Sequence, residues 1–252
     1  MKRLFAKFSS RSKACSWRIY PDDVFLVSYP RSGNTWVRYL LANVKNPHCD
    51  WNYTNIDQII PDMYRVGKEM DNYPKPRIIK SHEAYRKDYR RVIYIYRDGR
   101  DVAVSYFHFY QTIHSYTGSF ADFLHEFISG AVEFESWQNH ISSWMFRKHS
   151  VSFLAVRYED LCSGTFTVLK SILQFLGINA SDHIIDAAVR KCTFEWRQED
   201  VKRFNPTYEK GYRGGVKGGP GKWHGVFSDT DLELFWEKFG KTMSKLEYLK
   251  SR

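Results

Sequence analysis

Val24-Phe25-Leu26-Val27-Ser28-Tyr29-Pro30-Arg31-Ser32-Gly33-Asn34-Thr35-Trp36 decides the reading of this chain. The apolar run at its start reads as a strand, and Pro30, with no N–H to give to a ladder, ends it. Gly33 lets the backbone turn where a side chain would block a ligand. A loop of this kind points successive N–H groups at an anion. Beyond it Trp36, Val37, Leu40, Leu41 and Val44 recur at helical spacing, so the anion would lie at the positive end of a helix packed on a sheet. The run has one glycine and carries its cation, Arg31, before that glycine. It is therefore not the Gly-x-x-x-x-Gly-Lys-Ser/Thr loop of nucleoside triphosphatases, and something other than ordinary ATP or GTP handling is expected.

The chain has 252 residues, 43% of them hydrophobic, which is enough for one large core, and no repeat or linker divides it. A single domain over residues 1–252 is expected. Net charge is +10, which favours an anionic ligand, an acidic surface or nucleic acid without choosing among them. Cys15, Cys49, Cys162 and Cys192 are dispersed with no Cys-x-x-Cys pair, and no apolar stretch has the length of a signal peptide or transmembrane segment. Free thiols and a cytoplasmic location are expected. Residues 1–20 mix Lys and Arg with Leu4, Phe5, Phe8 and Trp17 and read as a basic N-terminal arm, with contact to an anionic membrane the alternative.

Strand-like runs fall at Val24 to Tyr29, Arg77 to Lys80, Arg91 to Arg97 and Val151 to Tyr158, with helical patterns between most of them. That alternation predicts an α/β fold with a parallel sheet, whose ligands gather at the carboxyl ends of the strands. Pro30-Arg31-Ser32, Lys80-Ser81-His82, Arg97-Asp98 and Tyr158-Glu159-Asp160 would then share one rim. Further helices are expected at Asp101 to Ile113, Phe120 to Phe127, Ala131 to His149, Phe166 to Leu176 and Asp229 to Lys241. Residues 199–224 hold six of the fifteen glycines and little apolar content, so they read as a long functional loop.

Two further clusters carry chemistry. Arg97 ends an apolar strand and Ser105 lies about one turn into the following helix, so a guanidinium and a hydroxyl can meet one phosphate monoester. Equally, Arg97 can pair with Asp98 or Asp101 and Ser105 can face solvent. Lys80 and His82, two residues apart at a strand end, project to the same side. Lys80 would neutralise charge on a leaving group and His82 would take a proton from an attacking hydroxyl, with Glu83 or His108 next in line for that role.

These motifs, in this order, resemble the soluble sulfotransferases that use 3′-phosphoadenosine 5′-phosphosulfate, from about Val24 to Glu233. The resemblance implies a three-layer, P-loop-like parallel sheet flanked by helices. Tyr29 to Trp36 is similar to the family's Tyr-Pro-Lys-Ser-Gly-Thr-Thr-Trp. Ser32, Gly33, Asn34 and Thr35 would hold the 5′-phosphosulfate and Trp36 would stack on adenine. The family's 3′-phosphate ligands fall on Arg97 and Ser105, and its Lys-Thr-His, with the histidine as catalytic base, on Lys80-Ser81-His82. Its Tyr-Glu-Asp matches Tyr158-Glu159-Asp160, bringing the Tyr158 hydroxyl near the adenine, which Phe194 would flank.

The chain departs from the pattern in three places. Arg31 stands where the family has a catalytic lysine, keeping the charge but donating a proton less readily. The late Arg-Lys-Gly-x-x-Gly-x-Trp becomes Val216-Lys217-Gly218-Gly219-Pro220-Gly221-Lys222-Trp223. Lys217 and Gly218 would still grip the 3′-phosphate, with Arg213 a second source of the missing charge. His224-Gly225-Val226-Phe227 replaces a dimer motif that begins with Lys, which leaves monomer and homodimer both open.

The chemistry implied is sulfuryl transfer to a hydroxyl or amine of a small-molecule acceptor, releasing 3′,5′-bisphosphoadenosine, with no metal required. Arg31, Lys80 and His82 would be the catalytic groups. Tyr106, Phe107, Phe109, Tyr110, Tyr64 and Trp144 suggest a flat or apolar acceptor. A small-molecule kinase would carry a lysine directly after the loop glycine, where this chain has Asn34. A nucleic-acid-binding module would show one basic stripe, not cations converging on strand ends, so no nucleic-acid partner is expected.

Overall fold

A computed structural model describes residues 17–147, 150–193, 199, 203 and 219–250. Phe194, Arg213, Val216, Lys217, Gly218 and most of the N-terminal arm lie outside these residues. Four strands, β1 (Val24–Ser28), β2 (Ile78–Ser81), β3 (Arg91–Tyr96) and β4 (Ser152–Arg157), form an all-parallel sheet in the order β2-β1-β3-β4. β1 is buried along its whole length. Strand alternation sends Phe25 and Val27 into one core and Val24 and Leu26 into the other.

Each face is covered by helices of matching amphipathic pattern. α1 (Asn34–Lys45), α7 (Thr165–Leu176) and α8 (Asp182–Lys191) close one face through Val37, Leu40, Leu41, Leu169, Ile172 and Ile185. α3 (Gly99–Ile113), α4 (Phe120–Ser129), α5 (Trp137–Met145) and α9 (Asp229–Lys245) close the other with an aromatic core that includes Tyr106, Phe123, Phe127, Trp137 and Phe239. The segments leaving β1 and β3 thus turn to opposite faces, which opens a crevice between their carboxyl ends. No helix among the described residues is long and apolar enough to cross a membrane.

Several elements differ from the expectation. The helix expected from Ala131 begins only at Trp137, capped by Ser136, because Phe134 and Glu135 hold left-handed backbone. Tyrosine hydroxyls fix that turn: Tyr106 donates to Glu133 O and Tyr29 to Glu135 O, both at 2.9 Å, and Tyr110 accepts from Glu133 N. Tyr158-Glu159-Asp160 is the first turn of a short helix, α6 (Tyr158–Ser163), and α8 was not anticipated at all. Within the glycine-rich stretch, Lys222–Gly225 forms a 3-10 turn.

Gly33 is the tightest point of the crevice. Its φ is 101°, and a Cβ there would meet the Tyr158 ring at 2.6 Å. Gly33→Ala is expected to cost about 1–3 kcal/mol from backbone strain alone, read as a lower urea midpoint at unchanged slope. An unchanged midpoint would mean that the loop relaxes freely around this position.

Candidate active site

The loop between β1 and α1 delivers its groups to the crevice. Gly33 is the N-cap of α1 but supplies no side-chain cap, and the first turn holds no acidic residue, so the helix end stays electropositive. Asn34 and Thr35 are its first two residues. The Asn34 amide is committed to Leu26 O (2.9 Å) and Ser28 Oγ (3.3 Å), stitching β1 to α1. With both Nδ2 hydrogens spent, contact with an anion from Asn34 falls to its backbone N–H, while Oδ1 has no partner among the described residues. Ser32 is buried, and its Oγ has no hydrogen-bond partner among the described residues.

Arg31, at φ 69°, turns its guanidinium across the crevice to α3. Its Nε donates to Ser105 Oγ at 3.1 Å, and the group lies 5.1 Å from the centre of the Phe109 ring. Arg97 follows β3 and donates to Arg31 O (3.1 Å) and Gly219 O (3.0 Å), with its Nε buried and unpartnered among the described residues. Sequence alone left Arg97 free to pair with Asp98 or Asp101. Asp98 is taken by Arg100, at 2.7 Å, whereas Asp101 does pair with Arg97, at 3.9 Å, while accepting from Gly221 N and Trp223 N. Asp101 thereby pins the end of the glycine-rich stretch to α3, a role with no local signal in the chain.

Tyr158 ties the two sides together. Its ring sits over Gly33, 4.4 Å from the Arg97 guanidinium and edge-on to Trp36 at 6.2 Å. Trp36 donates to Cys192 O at 2.8 Å, which fixes the indole against α8. Arg31, Gly33, Trp36, Arg97, Ser105 and Tyr158, distant in sequence, are thus one cluster.

Lys80 and His82 stand on the β2 side of the rim. His82 Nδ1 is 2.7 Å from Ser28 O, so that nitrogen carries the proton and Nε2 is left as the acceptor. Burial, then the Lys80 charge, brings the imidazole down to about 3, against the raising effect of the Ser28 carbonyl. Its backbone is clamped as well: the His82 N–H donates to Tyr64 Oη (2.8 Å) and its carbonyl accepts from His140 Nε2 (3.1 Å). His140, buried in α5, accepts in turn from Tyr94 Oη at 2.9 Å. The side chains of Tyr64 and Phe134 flank the imidazole. Lys80 Nζ lies 2.5 Å from Asp62 Oδ2.

Of the aromatic residues expected to line an acceptor pocket, Tyr106, Phe107, Tyr110 and Trp144 are core residues instead. They pack beneath the rim because α3 and α5 close the aromatic face of the sheet. Tyr64 and Phe109 keep partial exposure at the rim. His108 is engaged with Gln111 at 3.2 Å along α3.

A family described as the sulfotransferase domain matches residues 21–247. Mouse sulfotransferase 1 family member D1 is 29% identical over 256 aligned positions, covering 92% of this chain and 87% of its own. Rabbit amine sulfotransferase is 30% identical, covering 73% and 65%. The solved structure of mouse sulfotransferase SULT7A1 complexed with PAP superposes with a TM-score of 0.71 at 26% identity, covering 90% of this chain and 87% of that one. Retinol dehydratase, at 20% identity and a TM-score of 0.70, shares the fold. Since the family match takes in all four strands and both sides of the crevice, the chain belongs to the sulfotransferase family and is a sulfotransferase enzyme.

Proposed function

We propose that the protein transfers the sulfuryl group of 3′-phosphoadenosine 5′-phosphosulfate to a hydroxyl or amine of a small-molecule acceptor, with His82 as general base. The observation that carries this reading is the His82 tautomer, whose Ser28 hydrogen bond leaves an unprotonated Nε2 on the rim that also holds the loop between β1 and α1. Neutral imidazole is the form a general base needs, and burial keeps it neutral. The acceptor oxygen or nitrogen attacks sulfur, its proton passes to His82 Nε2, and the sulfur–oxygen bond to the 5′-phosphate breaks.

The residues present fit the donor. Ser32 Oγ and Arg97 Nε are buried polar atoms without partners among the described residues, a cost of about 1–3 kcal/mol each that an anion would relieve. In this reading Ser32, Gly33, Asn34 and Thr35 take the 5′-phosphosulfate with hydroxyl and backbone N–H groups. Arg97 and Ser105 take the 3′-phosphate, joined by Lys217 and Gly218. Trp36, Tyr158 and Phe194 bound the adenine, and Arg31 and Lys80 stabilise the transferring group and bridging oxygen. PAP bound to the mouse relative supports the same donor, and the rabbit relative's name keeps amines among the acceptors. A cytoplasmic site of action belongs to this proposal, in keeping with the free thiol of Cys49.

Titration with 3′,5′-bisphosphoadenosine (PAP), ATP and single-stranded DNA tests the donor directly, with PAP expected to bind far more tightly than the others. Arg97→Ala should weaken PAP binding by about 1.5–3 kcal/mol while adenosine 5′-phosphosulfate, lacking the 3′-phosphate, is almost unaffected. Equal losses for both would assign Arg97 to the fold.

His82→Ala should lower turnover by about two to four orders of magnitude with little change in PAP affinity. The folded imidazole titrates at about 3, below the ~6.5 of a free histidine. In the free enzyme it is therefore neutral throughout pH 5–8, and kcat/KM for the donor should show no acid limb near 6.5. An apparent pKa of 6.5 in that profile, absent in His82→Ala, would mean that the ring is hydrated and not desolvated.

A further inference from the structure

Asp62 has no part in the reading above, yet it touches the supports of both Lys80 and His82. Its side chain is buried, and Oδ2 lies 2.5 Å from Lys80 Nζ. The chain around it runs beside β2: Lys80 N donates to Pro61 O at 2.9 Å, and Asp62 pairs with Lys80 in a parallel bridge. The other oxygen, Oδ1, accepts the Tyr64 N–H at 3.0 Å and so caps the single-turn helix α2 (Met63–Val66). Tyr64 is the residue whose hydroxyl accepts the His82 N–H and whose ring lies parallel to the imidazole. Behind Asp62, its N–H donates to Asp57 Oδ1, and Asp57 is ion-paired with Arg38 and Arg65.

The charge on Asp62 is what calls for an explanation. Burial pushes its carboxyl up, but the charges of Lys80 and Arg38 and the Lys80 hydrogen bond outweigh it and bring the group down to about 2. A helix cap needs no charge, since Asn and Ser cap equally well. An ionised, buried carboxylate is favourable only where a cation meets it. A lysine ammonium, a point charge on a flexible stem, in turn gains a fixed position from such a partner.

We propose that Asp62 is the positioning residue of this active site, its Oδ2 fixing the Lys80 ammonium for the transferring sulfuryl group and its Oδ1 fixing the turn through which Tyr64 holds His82. The inference rests on the proposed roles of Lys80 and His82. Asp62→Asn keeps the size and the cap and removes the charge, so it isolates the Lys80 half. Turnover per PAP-binding site should fall about 10- to 100-fold, with PAP affinity within about 3-fold of wild type. Lys80→Met should cost at least about 10-fold in the wild-type background and at most about 3-fold in Asp62→Asn, because the two residues act as a unit.

Wild-type or higher turnover in Asp62→Asn, or losses that simply add, would overturn the inference. Lys80→Met with unimpaired turnover would overturn the catalytic role of Lys80 and this inference with it, whereas an impaired Lys80→Met beside an intact Asp62→Asn removes the inference alone. Should Asp62→Asn not fold, the double variant Asp62→Asn/Lys80→Met, which strands no charge, replaces it. Turnover equal to that of Lys80→Met supports the pairing, and a further 10-fold loss overturns it.

Discussion

Strand register sets the height of every group on the rim. Val27 is level with Ser81 and Ser28 with Ile95, so the residue after Ser81 stands beside Ser28 and its ring reaches the Ser28 carbonyl at 2.7 Å. By the same register Arg97, two residues past Ile95, meets the Arg31 carbonyl at 3.1 Å. A slip of one residue would exchange the two faces of a strand. β1 resists that slip on both sides, because Phe25 and Val27 fill one core while Val24 and Leu26 fill the other.

Charge on the rim is distributed unevenly, and the unevenness is informative. Arg100 is answered by Asp98 and Lys80 by Asp62. Arg31 is met by neutral groups, the Ser105 hydroxyl and the face of Phe109. Arg97 donates to two carbonyls and has only the longer contact to Asp101, at 3.9 Å, and beside both arginines lies the end of α1 with no acidic residue in its first turn. The positive field is therefore concentrated at the loop side of the crevice, which suits a doubly charged ligand lying between β1 and β3. A net charge of +10 is consistent with this but would not have located it.

The loop, α1 and all four strands were legible because their signals are local: an apolar run, a proline stop, a glycine turn, then helical spacing. What was not legible depends on partners far away in the chain. Residues 133–135 have the composition of a helix, but hydroxyls of Tyr29, Tyr106 and Tyr110 hold their backbone in a turn. α8 is an exception, for the Ser181 cap and Ile184, Ile185, Ala188 and Val189 behind it do carry a helical pattern in the sequence. Asp62 and His140 act on Lys80 and His82 from 18 and 58 residues away, as a carboxylate and a ring that sequence cannot tell from solvent-facing ones. The aromatic residues of α3 were misjudged for a related reason, since a core and a pocket draw on the same side chains.

The line of hydrogen bonds from Tyr94 through His140 to the His82 carbonyl joins the middle of the sheet to the rim. Tyr94 and His140 are both buried, so water does not stand in for either. Packing in the middle of the sheet and the position of His82 on the rim are therefore not separable traits in this protein. Inherited or engineered changes deep in β3, which a survey of surface-accessible positions would pass over, reach His82 through its own peptide group. Substitutions in this core therefore bear on the alignment of one imidazole as well as on volume.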